Sequence, residues 1–275
     1  MTLSTIRNNP AKQKKVKTKK QKAIAATCAV AFWLLVWHVI SLCVGSELVL
    51  VSPVKVVQTL FTVIFDPDFL KTVWYSAARI LGGFFTALTL GTVLGWVASR
   101  FWVVETLLRP ITAVIKATPV ASFIILVLLW FSGKNLSVII SMLMVFPVIY
   151  MNVLEGIRSA DEKLLEMAQV FRLSVGKKLL YIYLPTVAPF FVSACSVSLG
   201  LCWKSGIAAE VIGTPDGSIG AVFYQAKIFL QTSELLAWTV VVVAVSVAFE
   251  KLFMFLPRLV LKKLKMEDVL NGKRA

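Results

Sequence analysis

The chain is poor in the groups on which most active-site chemistry depends. Its 275 residues include one histidine, four cysteines and 14 acidic residues, and only 16% are charged, against about 25% in an ordinary soluble domain. Cys28, Cys43, Cys195 and Cys202 lie inside or at the edge of apolar runs, form no C-x-x-C pair, and share that setting with His38. A disulfide framework or a metal site therefore has no ligand pattern, and the cysteines read as small buried hydrophobes. A nucleotide-binding loop is missing as well. Gly176-Lys177-Lys178 lacks the upstream glycine and the Ser or Thr, and Gly200 to Ser205 has the wrong spacing. No catalytic, cofactor-binding or metal-ligating residue is expected, so the chain reads as something other than an enzyme.

What fills the chain is apolar surface: 58% of residues are hydrophobic, with mean hydropathy +0.83. A polar shell cannot cover that composition, which excludes a soluble domain. The apolar runs are continuous rather than alternating, so they read as helices and not barrel strands. The class is an all-α integral membrane protein, its backbone hydrogen bonds satisfied within each span.

The net charge of +15 would suit nucleic acid, but its distribution does not. Arg7 and seven lysines crowd residues 1–22, with no acidic residue among them, as in a basic cytoplasmic tail facing anionic lipid. The run 23–44 is too long for a signal-peptide core and reads as a first transmembrane helix. Residues 45–75 read as an external segment. Within it Val54, Val57, Leu60, Phe61 and Ile64 share one face of an interfacial helix, and Asp66-Pro67-Asp68 breaks the pattern. Further spans are expected at about 76–98, 117–132, up to 151, 186–206, and from 235 to 256. Gly91-x-x-x-Gly95 in the second allows close helix approach, and Pro147 should kink the fourth. A basic tail occupies 258–275. With six spans, 22 of the 29 Lys and Arg fall on one side and six on the other. That excess places both termini in the cytoplasm.

This orientation puts the long polar insert 155–185 in the cytoplasm too. Ser159-x-x-Glu162 has capping-box spacing, so a helix should start near Ala160. Leu164, Leu165, Ala168 and Phe171 then gather on one face, opposite Asp161, Lys163 and Glu166. Ser174 can cap a second short helix, which ends at Leu184-Pro185. Two short amphipathic helices outside the bilayer suit either a groove on a partner protein or the headgroup layer, and periodicity alone leaves both open.

The spacing of this insert resembles the cytoplasmic loop of permease subunits of binding-protein-dependent ABC importers. The matching residues are Glu166-x-Ala168, three residues, a turn position, nine further residues, and then Ile182-x-Leu184-Pro185. Leu50-Val51-Ser52-Pro53, Ser76-x-x-Arg79-x-x-x-Gly83, Pro110, Trp130-Phe131-x-Gly133, Ala208-Ala209-Glu210 and Gly217-Ser218-Ile219-Gly220 are similar to the branch serving nitrate, aliphatic sulfonates and taurine. The likeness covers about 48–257. It implies the type I importer permease fold over 76–257, with Leu165, Glu166, Ala168, Phe171, Arg172, Gly176, Ile182, Leu184 and Pro185 in coupling helices that sit on a cytoplasmic ABC ATPase dimer. It also implies a second permease copy and an extracytoplasmic solute-binding protein as partners in a bacterial plasma membrane. ATP and Mg would then belong to the ATPase. The pattern departs from the family at Met167, usually Ala, and at Arg172, usually Gly. A glycine supplies backbone freedom to that turn, so the departure bears on whether the break stays at 172 or moves toward Gly176.

Charged residues within or beside spans are candidates for the solute pathway. Arg79 and Lys204 would suit an anion, with snorkelling to the headgroups as the alternative. Glu210, just beyond the fifth span, is expected to pair with a lysine or meet the binding protein, and Glu250 to pair within the bundle. An ion-driven carrier would show inverted repeats and paired midplane carboxylates, and a lipid enzyme a clustered acid–base site; neither pattern is visible.

Overall fold

A computed structural model describes the backbone of residues 19–263 and the side chains of 24–255; the basic tails expected at 1–22 and 258–275 fall outside the described side chains. The chain divides into two compact units, Met1–Lys55 and Val56–Ala275. The first holds α1 (Lys19–Val44). Its side chains from Ile24 onward are mostly apolar and nearly all exposed. Ser41 closes the turn after it by donating to the Leu50 carbonyl at 3.0 Å. Helix α2 (Pro53–Ile64) starts on a proline, whose missing N–H costs nothing at a first helical position.

The second unit is built on three long helices: α3 (Phe69–Arg100), α6 (Gly133–Arg158) and α9 (Leu184–Gly213). Small residues let them approach closely where lipid supplies no hydrophobic drive. On α3, a Cβ at Gly91 would lie 3.0 Å from Ile149, and one at Gly95 3.0 Å from Val153. The Gly91-x-x-x-Gly95 pattern is thus the seam between α3 and α6. Ile80, Phe84, Ile149, Leu199 and Trp203 fill the space between the three helices. α10 (Ile219–Ile228) and α11 (Thr232–Lys263) complete the unit, with Trp238 and Val241 packing over Ile219.

Between α3 and α6 the structure differs from the expected straight third span at 117–132. The connecting segment is itself a helix, α4 (Trp102–Ala117), bent by 106° from α5 (Val120–Leu128). The cause is local: Thr118 precedes Pro119 and takes extended angles, φ −81° and ψ 133°, as a residue before proline must. Nine residues of α5 rise only about 14 Å, half the roughly 30 Å hydrocarbon core. Among the described residues five helices are long and apolar enough to cross a membrane, or up to six crossings if the bent pair is one span. Pro147 lies inside an α6 that runs unbroken to Arg158. The fifth span, expected to stop near 206, continues to Gly213. That extra length carries Glu210 inside the bundle.

Candidate functional site

After α6 the chain turns into α7 (Glu162–Val170), α8 (Val175–Lys178) and a π-helical turn at Leu179–Tyr183 that leads into α9. The cap of α7 is Asp161 rather than Ser159. Its carboxylate accepts from the Lys163 N–H at 2.9 Å, whereas the Ser159 hydroxyl turns back to the Gly156 carbonyl. A serine ending one helix finds a free carbonyl behind it, and the following aspartate is left to take the cap. Ser174 does stand at the N-cap of α8, with no hydrogen bond from its side chain to the helix.

The apolar residues of α7 divide between two faces instead of gathering on one. Ala168 and Leu165 turn inward to a small core with Ala160, Ile182, Leu173 and Tyr183. Leu164, Met167, Val170 and Phe171 point outward, Val170 and Phe171 being 79% and 72% exposed. Glu166 is exposed beside them, as is Gly176 on α8; Leu184 is at the edge of exposure and Pro185 is half-buried. Four large hydrophobes on one short polar helix form an uncovered surface of the kind that marks an interaction site.

Arg172 holds the turn. It has φ 49°, the left-handed region that favours glycine. The Leu173 N–H bonds to the Ala168 carbonyl at 2.9 Å and the Arg172 N–H to the Gln169 carbonyl at 3.0 Å, the two bonds of a Schellman cap. The break therefore stays at 172, and Gly176 lies within α8.

At the other end of the bundle a buried carboxylate joins sequence fragments that looked unrelated. Glu210 is 0% exposed in the last turn of α9. Its Oε2 accepts from the Ser76 hydroxyl of α3 at 2.6 Å and from the Gly220 N–H at 3.4 Å. Ser76 in turn accepts from the Ile219 N–H at 2.9 Å. The N-terminus of α10 points at the carboxylate, a favourable placement for negative charge. Ser218 caps α10 by accepting from the Ala221 N–H. A Cβ on Gly220 would overlap the backbone of Glu210, so only glycine lets α10 come this close. Glu210 thus neither pairs with a lysine nor faces outward: it locks α3, α9 and α10 together.

Arg79 is also committed within the bundle. Its guanidinium donates to the Tyr75 hydroxyl at 2.8 Å and to Asn135 Oδ1 at 3.3 Å, and lies 4.8 Å over the Tyr75 ring. Lys204 is different: it is exposed on α9 and takes part in no ion pair among the described residues. Glu250 accepts from Ser196 of α9 at 2.8 Å, so its partner is on another helix. Sequence reading missed the Glu105–Arg158 ion pair, which joins α4 to the last turn of α6. Opposite charges at the start of α4 and the end of α6 were the available signal.

Among the described residues no group of three His, Cys, Asp or Glu could hold a metal ion. Crossing-length helices packed through small residues, and a polar loop with an uncovered apolar stripe, define a polytopic membrane protein built around a helix bundle. Residues 87–266 match the family model described as binding-protein-dependent transport system inner membrane component, and the chain belongs to that family. It is a permease subunit of an ABC transporter, and not itself an enzyme. Membership implies an ATPase and a solute-binding protein as partners.

Relatives point to one branch. The chain is 29% identical over 230 residues to the putative aliphatic sulfonates transport permease protein SsuC of Bacillus subtilis (strain 168), covering 82% of this chain and 83% of that one. It is 27% identical over 220 residues to the taurine transport system permease protein TauC of Escherichia coli (strain K12), covering 78% and 80%. With the nitrate import permease protein NrtB of Synechocystis sp. (strain ATCC 27184 / PCC 6803 / Kazusa) it shares 25% over 250 residues, covering 87% and 90%.

Proposed function

We propose that two copies of this chain enclose a pathway for a small anionic or sulfonate-like solute, such as a sulfonate, taurine or nitrate. A separate cytoplasmic ATPase dimer, which holds the ATP and Mg, drives the cycle by docking on α7 and α8. A solute-binding protein delivers cargo to the outer face. Both termini lie in the cytoplasm of a bacterial plasma membrane, as the one-sided distribution of Lys and Arg favours. The substrate class rests on the likeness to permeases for aliphatic sulfonates, taurine and nitrate. Lys204, exposed and unpaired in a span, is the residue of this chain best suited to an anion.

The observation that carries the coupling role is the outward stripe of Leu164, Met167, Val170 and Phe171 on α7. The helix beneath it packs through Ala168 and Leu165 on Ala160 and Ile182. A helix fixed to the end of two spans transmits a push from its partner into them, which a loop lying loosely on headgroups would not do. The test is co-purification and stimulation of the cognate ATPase by the full-length permease carrying Glu166→Lys or Phe171→Asp. Both variants should insert normally and lose most of the stimulation. Normal stimulation by both would overturn the docking role.

A further inference from the structure

Helices α4 and α6 run side by side in opposite directions. Glu105 meets Arg158, Leu108 packs on Tyr150 and Leu154, and Ile115 joins the cluster of Met144. Between the two helices lies a cavity of about 600 Å³, within the size range of small-molecule sites. Five charged residues line it: Glu105, Arg109 and Lys116 of α4, and Glu155 and Arg158 of α6. Glu105 and Arg158 satisfy each other, with Nη1 donating to Oε1 at 2.9 Å. Arg109 and Lys116 take part in no ion pair among the described residues. Tyr150 supplies a second, independent mark. It lines the cavity, is 1% exposed, and its buried hydroxyl has no hydrogen-bond partner. The other hydroxyl of the lining, on Thr112, is turned to its own helix and donates to the Leu108 and Arg109 carbonyls at 3.0 Å. A buried donor without an acceptor is costly, and a ligand oxygen at that point removes the cost.

From this arrangement we infer that the cavity binds a short aliphatic sulfonate, an organic monoanion. Three cations stand against two carboxylates in the lining. One negative charge therefore brings the cavity to neutrality, and a dianion overshoots it. The oxyanion head takes the groups left without partners: the Tyr150 hydroxyl and the Arg109 and Lys116 cations, whose bonds to it are charge-assisted. A sulfonate offers three oxygens to these three donors, where a carboxylate offers two. Ala113, Met151 and Leu154 form the apolar part of the lining. Bare nitrate leaves that part unused, while a short alkyl chain covers it. The site is separate from Lys204, because α9 contributes no residue to this cavity. That the ligand is cargo rests on the transport reading proposed above; the anion site itself does not.

The test is saturation-transfer NMR on the full-length permease in lipid nanodiscs, with butanesulfonate as the probe and empty discs as the blank. Binding should tighten about 3- to 4-fold per added methylene from methanesulfonate to butanesulfonate, and butanesulfonate should outcompete nitrate and sulfate. Arg109→Gln, Lys116→Gln and Tyr150→Phe should each weaken it about 10-fold. Lys71→Gln, which removes an exposed cation elsewhere, should leave it unchanged. Because the Tyr150 hydroxyl bonds to nothing in the protein, Tyr150→Phe should not lower the unfolding midpoint of the ligand-free chain. A lower midpoint would show a hydroxyl spent on the fold and remove it from the site. No saturable binding, or binding that the Arg109 and Lys116 variants leave intact, would overturn the site. Nitrate or sulfate binding as tightly as butanesulfonate would overturn the sulfonate assignment. Uptake by the assembled transporter reads the cargo role separately: Arg109→Gln/Lys116→Gln should raise the sulfonate concentration for half-maximal uptake at least about 10-fold. Unchanged uptake by a variant that no longer binds would overturn that role and leave the ATPase-coupling reading untouched.

Discussion

Replacing Ser76 by alanine removes one oxygen from the buried cluster at the end of α9 and breaks two bonds at once. The Ile219 N–H loses its 2.9 Å acceptor, and Glu210 loses its 2.6 Å donor. Both groups are fully buried, so water cannot replace the lost partner. What Glu210 keeps is the long 3.4 Å bond from Gly220. An orphaned buried group costs about 1–3 kcal/mol, and two bonds are lost here, so the combined loss is about 3 kcal/mol. At roughly 2–4 °C per kcal/mol for a chain of this size, the unfolding midpoint should fall by about 6–12 °C. Thermal unfolding of the detergent-solubilised chain, followed by tryptophan fluorescence, reads this directly because Trp203 is buried two turns before Glu210. Ser198→Ala is the control: that hydroxyl is equally buried but bonds to nothing, so its loss should move the midpoint little. In a Glu210→Gln background the Ser76→Ala penalty should change, because the two residues share one buried hydrogen bond. A Ser76→Ala shift no larger than that of Ser198→Ala would refute the latch.

Two further outcomes follow from the loop and the bundle. Arg172→Gly should relieve the left-handed turn, slowing hydrogen exchange at the Leu173 amide by up to about 5-fold, part of the gain being offset by a freer unfolded chain. Arg172→Val should speed that exchange, and the reverse order would show that the turn carries no strain. Lys204→Met should raise the solute concentration for half-maximal uptake if the cargo is anionic, whereas unchanged uptake would return Lys204 to a snorkelling role.

The all-helical membrane class and the polar insert were legible from composition and from long apolar runs. Those signals are local: about 20 consecutive apolar residues have few other places to go. The turn at Arg172 was also marked in the sequence, because the departure from glycine fell where backbone freedom matters. Which conformation the arginine adopts was decided by the Schellman bonds to Ala168 and Gln169. The bend between α4 and α5 was less legible. Thr118-Pro119 announces an extended residue, but its direction depends on what each helix packs against.

By itself, the sequence determined that this chain is a set of membrane helices interrupted by a long polar insert, since hydrophobic run length acts within each segment. Tertiary structure alone decided that Ser76, Glu210 and Gly220 form one buried cluster and that Arg79 is held by Tyr75 and Asn135. It also decided that Glu105 reaches Arg158 across 53 positions. A hydrogen bond between residues far apart in the chain leaves no periodicity to read. It exists only once close packing through residues such as Gly91 and Gly220 has brought the helices within reach.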